Sequence, residues 1–273
     1  MMDRRPRTDT RGILHAVTGL SRFRMRRRAV AEPLAPFIQH YWLIDWELPE
    51  PYEQRVVPHP TVNLVFQTIG PPIVAGVDRG RFAVRLAGTG RVVGAQFRPG
   101  GFRPFLGGPV SALTDRQVPA AELFGPATDR TAAAVLAARD DDEITALMDD
   151  FLTARLDAPD PVAAEVAEMV AVIAADATLT KVTAAAARLA VPVRRLQRLF
   201  AEYVGVSPKW VIRRYRILEA AERAAAGTEA DWARIAAELG YADQAHLVRD
   251  FTAAVGMPPA RYARRDAELR ARR

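Results

Sequence analysis

The sequence contains no cysteine, which excludes disulfides, thiolate metal sites and any chemistry that runs through a reactive thiol. Its four histidines, His15, His40, His59 and His246, are scattered, and none stands at metal-ligand spacing from another. No uncharged run reaches the roughly 18–20 residues of a membrane span. The opening MMDRRPRTDTRG is not followed by an apolar core of signal-peptide length, so a cytoplasmic chain with no membrane partner is expected. No nucleophile–base pair, metal triad or phosphate-cradling loop is visible either. An enzyme is therefore not expected, nor is a cofactor.

What is present is an ordinary folding composition with a basic excess. The 273 residues are 49% hydrophobic, enough for one large domain or two ordinary ones. The formal charge is +6, and 36 of the 38 basic residues are arginine, a bias that genomic base composition alone can produce. The excess is uneven. Residues 161–273 hold 18 Lys and Arg against 13 Asp and Glu, whereas residues 1–160 hold 20 against 19. A basic C-terminal part favours a polyanion such as nucleic acid, by sign only.

The two parts also differ in pattern. Between Pro33 and Gly101 lie the runs FIQHYWLIDWEL, RVVPHPTVNLVFQ, PPIVAGVD, FAVRLAGTG and RVVGAQFRPGG, rich in Val, Ile, Phe and Trp and bounded by Pro and Gly. They predict strands of an antiparallel domain, with His40, Trp42, Ile44 and Trp46 on one face of the first. Beyond Ala120 the period becomes helical. Ile144, Leu147, Met148, Phe151 and Leu152 form one apolar stripe, suited to self-association or to packing on the sheet. DAPDP (157–161) then marks a boundary. The expected architecture is multi-domain α+β: a β-rich domain over 1–157, with 1–30 as a flexible basic arm, and an all-α domain over 160–273.

The all-α part contains a repeat. With Phe200 placed on Phe251, Leu196 meets Leu247, Arg198 meets Arg249, VG at 204–205 meets VG at 255–256, and Pro208 meets Pro259. Upstream the register slips by one, Leu189 matching Leu239, as a duplicated helix-turn-helix unit would allow. In the second unit Trp232, Ile235, Ala236 and Leu239 share a face, Gly240 can end the helix in the left-handed conformation, and Asp243 can cap the next. Leu247, Val248 and Phe251 then point one way, and Ala245, His246 and Arg249 the other, with Gln244 at the helix tip. In the first unit Leu196, Leu199, Phe200 and Tyr203 form the buried side, while Arg194, Gln197 and Arg198 lie opposite, flanked by Arg195. Arg and Gln are the side chains that read guanine and adenine edges in the major groove. One such face alone is as well explained by solvation; two matched faces in a basic domain point to DNA. The stretch Pro208–Ala226 reads as a single helix of about 28 Å, against about 34 Å between successive major grooves on one side of a duplex.

LQRLFAEYVGVSPKWVIRRYR and IAAELGYADQAHLVRDFTAAVGMPPARY resemble the two halves of the AraC/XylS-type DNA-binding domain, over about Leu179–Arg264. The resemblance implies a bacterial transcription regulator whose two units enter adjacent major grooves of double-stranded DNA. By position, its contact sites fall on Arg194, Arg195, Gln197 and Arg198, then on Gln244, Ala245, His246 and Arg249. Further partners it suggests are RNA polymerase, a small-molecule effector and a second copy of the chain. LAVPV departs from the family's usual turn, lacking both its glycine and its capping serine, and Ala245 leaves one contact position without a polar group. A DNA-alkylation sensor of related architecture would need the cysteine that is missing.

PFIQHYW, VVPHPTVNLVFQ and GAQFRPGGFRPFLG resemble an uncharacterised β-rich sensor domain often joined to such regulators. Candidate ligand residues there are Trp42, His59 and Arg98, the last beside free glycine amides in FRPGGF. Each has a plainer explanation: Trp42 as core, His59 as a loop residue, Arg98 as a solvated arginine on a tight turn. A ligand-independent DNA-binding protein whose N-terminal half is only a dimerisation scaffold is the alternative reading.

Overall fold

The computed structural model describes residues 10–156, 160–226 and 231–271. A short helix α1 (Ala16–Arg22) leads into strands β1 (Phe23–Arg28), β2 (Ile38–Val56), β3 (Asn63–Gln67), β4 (Ile73–Ala75) and β5 (Phe82–Phe97). After a helical turn α2 (Arg103–Leu106) comes β6 (Gln117–Pro119), and then helices α3 (Ala120–Phe124), α4 (Ala127–Ala137) and α5 (Asp141–Thr153). The six strands form one sheet in the order β1-β2-β5-β3-β4-β6, every pair antiparallel.

Alternation along the strands gives the sheet two unlike faces. Tyr41, Leu43, Leu64, Phe66, Val93 and Phe97 point to the side covered by helices, where Phe66 meets Phe151 of α5 edge-on at 5.8 Å. The Tyr41 hydroxyl donates to Asp149 of α5 at 2.7 Å, fixing helix to sheet. Ile144, Met148, Phe151 and Leu152 of the stripe are thus core, Leu147 is half-buried against them, and the stripe packs on the sheet rather than facing outward for self-association. On the opposite face Phe23, Trp42, Ile44, Trp46, Val65 and Val92 form a separate apolar cluster.

Two expectations need correction here. FAVRLAGTG and RVVGAQF are not separate strands but one, β5, paired with β2 along its length across a bulge between Leu48 and Tyr52. Gly90, within that apparent break, instead makes room for a ring, as does Gly94 further along the strand. A Cβ at Gly94 would lie 2.2 Å from the Trp42 ring, and one at Gly90 would lie 2.2 Å from the Trp46 ring. The second correction concerns the basic run Arg22–Arg28. It closes α1 and forms edge strand β1, so the flexible arm expected over 1–30 does not extend through it. Part of its charge is spent internally. Arg26 pairs with Asp45 at 2.6 Å and with Asp141 at 2.8 Å, Arg28 also reaches Asp141, and Arg91 takes the other oxygen of Asp45 at 2.6 Å. Arg91 in turn donates to the carbonyl of Ala138 at the end of α4. Residues 1–9 of that expected arm, and 157–159 of the expected boundary, lie outside the described residues.

The rest is helical: α6 (Pro161–Ala175), α7 (Val182–Arg188), α8 (Val193–Leu199) continued by a π-helical turn at Phe200–Val204, α9 (Pro208–Ala226), α10 (Trp232–Glu238), α11 (Gln244–Val255) and α12 (Pro259–Ala271). The long helix α9 is central and buried on most sides, through Val211, Ile212, Tyr215, Leu218, Ala220 and Ala224. The apolar core does not stop between the two parts of the chain. One continuous cluster runs from Phe37, Phe97 and Phe124 to Val166, Phe200, Phe251 and Tyr262.

Candidate nucleic-acid interface

Helices α7 and α8 form one helix-turn-helix, and α10 and α11 a second. Their turns are built alike. In the first, the Val191 amide donates to the Ala186 carbonyl and that of Ala190 to Ala187; in the second, Tyr241 donates to Ala236 and Gly240 to Ala237. Both turn residues are left-handed, Ala190 at φ 53° and Gly240 at φ 71°. The entries to the second helices differ. Asp243 caps α11 by accepting the His246 amide at 2.7 Å, whereas α8 begins at Pro192 with no side-chain cap.

Each second helix turns its apolar side inward. Leu196, Phe200, Leu247 and Phe251 are all fully buried, which leaves the other face to solvent. On α8 that face carries Arg194, Arg195, Gln197 and Arg198, all exposed; on α11 it carries Gln244, Ala245 and Arg249, exposed, and a half-buried His246. The structure thus gathers the sequence-predicted residues into two patches, one per unit. Val248, placed on the buried side by helical periodicity, is only half-buried.

Contacts made by α9 and by the loop ahead of α7 hold the units together. Arg216 of α9, 3% exposed, donates to the carbonyls of Asp176 and Leu179 at 3.0 and 2.7 Å and so fixes the loop ahead of α7. Burial pulls its guanidinium below the ordinary arginine range, with Asp176 opposing. Thr180 in that loop packs so tightly on the second turn that a Cβ at Gly240 would lie 2.0 Å from its methyl group. Arg213 of α9 grips Asp250 of α11 in a fork, at 2.5 and 3.0 Å. Linking helix α9 spans the 19 residues expected, Pro208–Ala226, and at about 1.5 Å per residue is about 28 Å long.

Two acidic residues that sequence reasoning passed over lie at these faces. Asp250, buried between α11 and α9, also stands 3.8 Å from His246, one helical turn away. That spacing was readable in the sequence. Glu165 of α6 receives Arg195 at 2.8 and 3.2 Å; nothing in a separation of 30 residues announces it.

The β-rich part touches the turn after α8 and helices α9 and α12. Thr114 donates to the Gly205 carbonyl at 2.6 Å and Arg103 approaches Glu202 at 3.4 Å, next to α8. His15 stacks on Tyr262 of α12, ring centres 4.8 Å apart, and Arg11 pairs with Glu219 and Glu222 of α9. Arg214 of α9 donates to the Arg79 carbonyl at 2.9 Å and lies over the Trp210 ring.

Each of the three candidate ligand residues makes a contact within the fold. Trp42 lies flat over Gly94 and donates to Asn63 at 3.2 Å. His59 faces the Arg11 carbonyl at 3.0 Å, and Arg98 donates to the Ala35 carbonyl at 2.8 Å. A broad open concavity of about 810 Å³ lies elsewhere, between the end of α1, β1 and the Trp46 stretch of β2, and none of the three lines it. Among the described residues no group of three His, Asp or Glu side chains is placed to hold a metal ion, and no helix is long and apolar enough to cross a membrane.

Comparison with known families matches a helix-turn-helix domain at residues 185–265 and a domain of unknown function at residues 26–119. A search of curated proteins finds no match. Solved structures similar to this chain include three of ToxT from Vibrio cholerae. An apo variant gives a TM-score of 0.42 at 12% identity, covering 82% of this chain and 96% of its own. A second structure gives 0.39 at 13% identity, covering 89% and 98%. The wild-type protein with an unsaturated fatty acid bound gives 0.38 at 12% identity, covering 89% and 91%.

Proposed function

The C-terminal domain of this chain belongs to the AraC-type helix-turn-helix family, and from that premise we propose that the protein is a sequence-specific bacterial transcription regulator working in the cytoplasm. Family and fold point to regulation rather than catalysis. In the proposed mechanism α8 and α11 enter adjacent major grooves on one side of a duplex. Arg198 and Arg249 read base edges there, while Arg194, Gln197 and Gln244 supply neighbouring base or phosphate contacts.

The observation that carries this reading is the doubled face. Two turns with the same pair of closing hydrogen bonds present matched arginines, and one helix of about 28 Å separates them. A solvated helix surface has no reason to be duplicated with its turn intact and its arginine in the same place on the second helix.

Modulation by a small molecule is supported by the contacts of the β-rich part with the turn after α8 and with helices α9 and α12. A ligand that shifted that part would bear on α8 through Thr114 and Gly205, and on α12 through His15 and Tyr262. The alternative, a purely dimerising scaffold, loses its best surface because the stripe on α5 is buried in the core.

The test uses the full-length chain. Selection from a randomised duplex library should return a bipartite site with half-sites about one helical turn apart. Affinity should fall steeply with salt as phosphate contacts release counterions. A library that returns no enriched sequence would defeat the proposal.

A further inference from the structure

Superposing the repeat places Arg195 on His246, so the same position on each DNA-facing helix carries a cationic or ionisable side chain beside a carboxylate. The two carboxylates are differently engaged. Asp250, its side chain 10% exposed, is held by Arg213 from the linking helix, and His246 stands off at 3.8 Å. Glu165, its side chain 37% exposed, makes its ion pair with Arg195, which is itself 47% exposed. The second unit's acid is neutralised from behind. The first unit's acid stands at the DNA-facing rim, and a DNA-facing arginine is its partner.

This has an electrostatic consequence for any duplex that approaches α8. An arginine already paired has less charge to offer a phosphate, and a rim carboxylate repels the backbone. An exposed ion pair is weak and exchanges readily, so Glu165 cannot prevent Arg195 from engaging DNA. It can only set how good the alternative partner must be. A phosphate met in any register is a poor alternative; a base edge or phosphate in the one register that seats all of α8 is a good one.

We propose that Glu165 is a specificity-determining residue: it holds the Arg195 guanidinium off non-specific phosphates and so lowers affinity for random DNA more than for the cognate site. This rests on the helix-turn-helix reading and adds to it a residue on α6, outside the two units.

The experiment measures full-length wild type, Glu165→Gln, Arg195→Ala and the double variant on random duplex and on the best selected site, across a range of salt. Glu165→Gln should bind random DNA about threefold to tenfold more tightly at low salt. Its salt dependence on random DNA should steepen by about 0.9 in log–log slope, one phosphate's worth. Binding to the selected site should tighten less, so that the ratio of selected to random affinity falls. Arg195→Ala should change random binding little in the wild-type background but abolish the gain in the Glu165→Gln background. Glu165→Asp, which keeps the charge, should stay near wild type on random DNA. The inference is overturned if Glu165→Gln leaves random affinity and slope unchanged, if it shifts both DNAs equally, or if the gain survives removal of Arg195. A wild type that binds random and selected DNA alike would instead defeat the helix-turn-helix reading, and this inference with it.

Discussion

Ala190 and Gly240 occupy the same place in two copies of one turn, with φ of 53° and 71° and the same pair of backbone hydrogen bonds around them. Only one of them is a residue that takes this conformation without cost. A left-handed alanine is strained by about 1–2 kcal/mol, partly offset by the entropy a glycine would lose on folding. Ala190→Gly should therefore raise unfolding free energy by up to about 1 kcal/mol, read from urea denaturation of the full chain. Gly240→Ala should do the reverse and by more, since its new Cβ would meet Thr180.

Arg198 and Arg249 are matched in the repeat and exposed on α8 and α11. A bidentate base contact discriminates by about 1–3 kcal/mol, so Arg198→Ala should weaken binding to the selected site about 5- to 150-fold and relax preference at one or two positions of one half-site. Arg249→Ala should do so one helical turn away. If α11, with Ala245 among its contact positions, mainly grips phosphate, Arg249→Ala will instead weaken all sequences alike and flatten the salt slope by about one. Both variants measured on the randomised library at two salt concentrations separate these outcomes.

Arg214 is 3% exposed, and its Nη1 has no hydrogen-bond partner among the described residues. Burial pulls its guanidinium down to about 10, against the opposing pull of Asp78. Replacing a buried, partly satisfied charge by an apolar side chain of similar reach is often neutral or stabilising. Arg214→Met should leave stability within about 1 kcal/mol of wild type or raise it, whereas Arg214→Ala should cost about 2–4 kcal/mol by opening a cavity over Trp210. Chemical denaturation of both variants checks this.

Acid should weaken the fold through its paired aspartates. Burial pushes the Asp45 carboxyl up, but hydrogen bonds from Arg91 and Arg26 outweigh it and hold it below the ordinary carboxylate range. Asp115 is held low by Arg79, and Asp266 by His15 and Arg270 against burial. A carboxylate that is more acidic in the folded chain stabilises it above the unfolded value, about pH 3.9, and that stability is lost as pH falls through the folded value. Melting temperature should therefore drop progressively below about pH 5. Asp45→Asn should lower stability by about 1–2 kcal/mol at neutral pH and flatten the acid limb of the profile.

The repeat, its exposed arginines and both ends of α9 were legible in the sequence because each rests on local spacing: anchor residues one helical turn apart, a turn residue, a proline at a helix start. What was not legible rests on distance. Counting Arg22–Arg28 as a loose basic arm ignored Asp45 and Asp141, which come to it across β2 and from the start of α5. Gly90 looked like part of a strand break because the Trp46 ring that fills its gap belongs to another strand. The partners of the ligand candidates were hidden for a related reason. His59 and Arg98 look available in sequence, but carbonyls of Arg11 and Ala35 face them in the fold.

The unbroken core from Phe97 to Phe251 bears on how this chain can be engineered or can have diverged. Here a cut between α5 and α6 would bare apolar surface on both pieces and strip Arg214 of its carbonyl partner. Chimeras that graft residues 160–273 onto a foreign sensor should be poorly soluble unless Thr114, Arg103 and the Asp78–Arg79 loop travel with them. Heated intact, the chain should melt in one step rather than two.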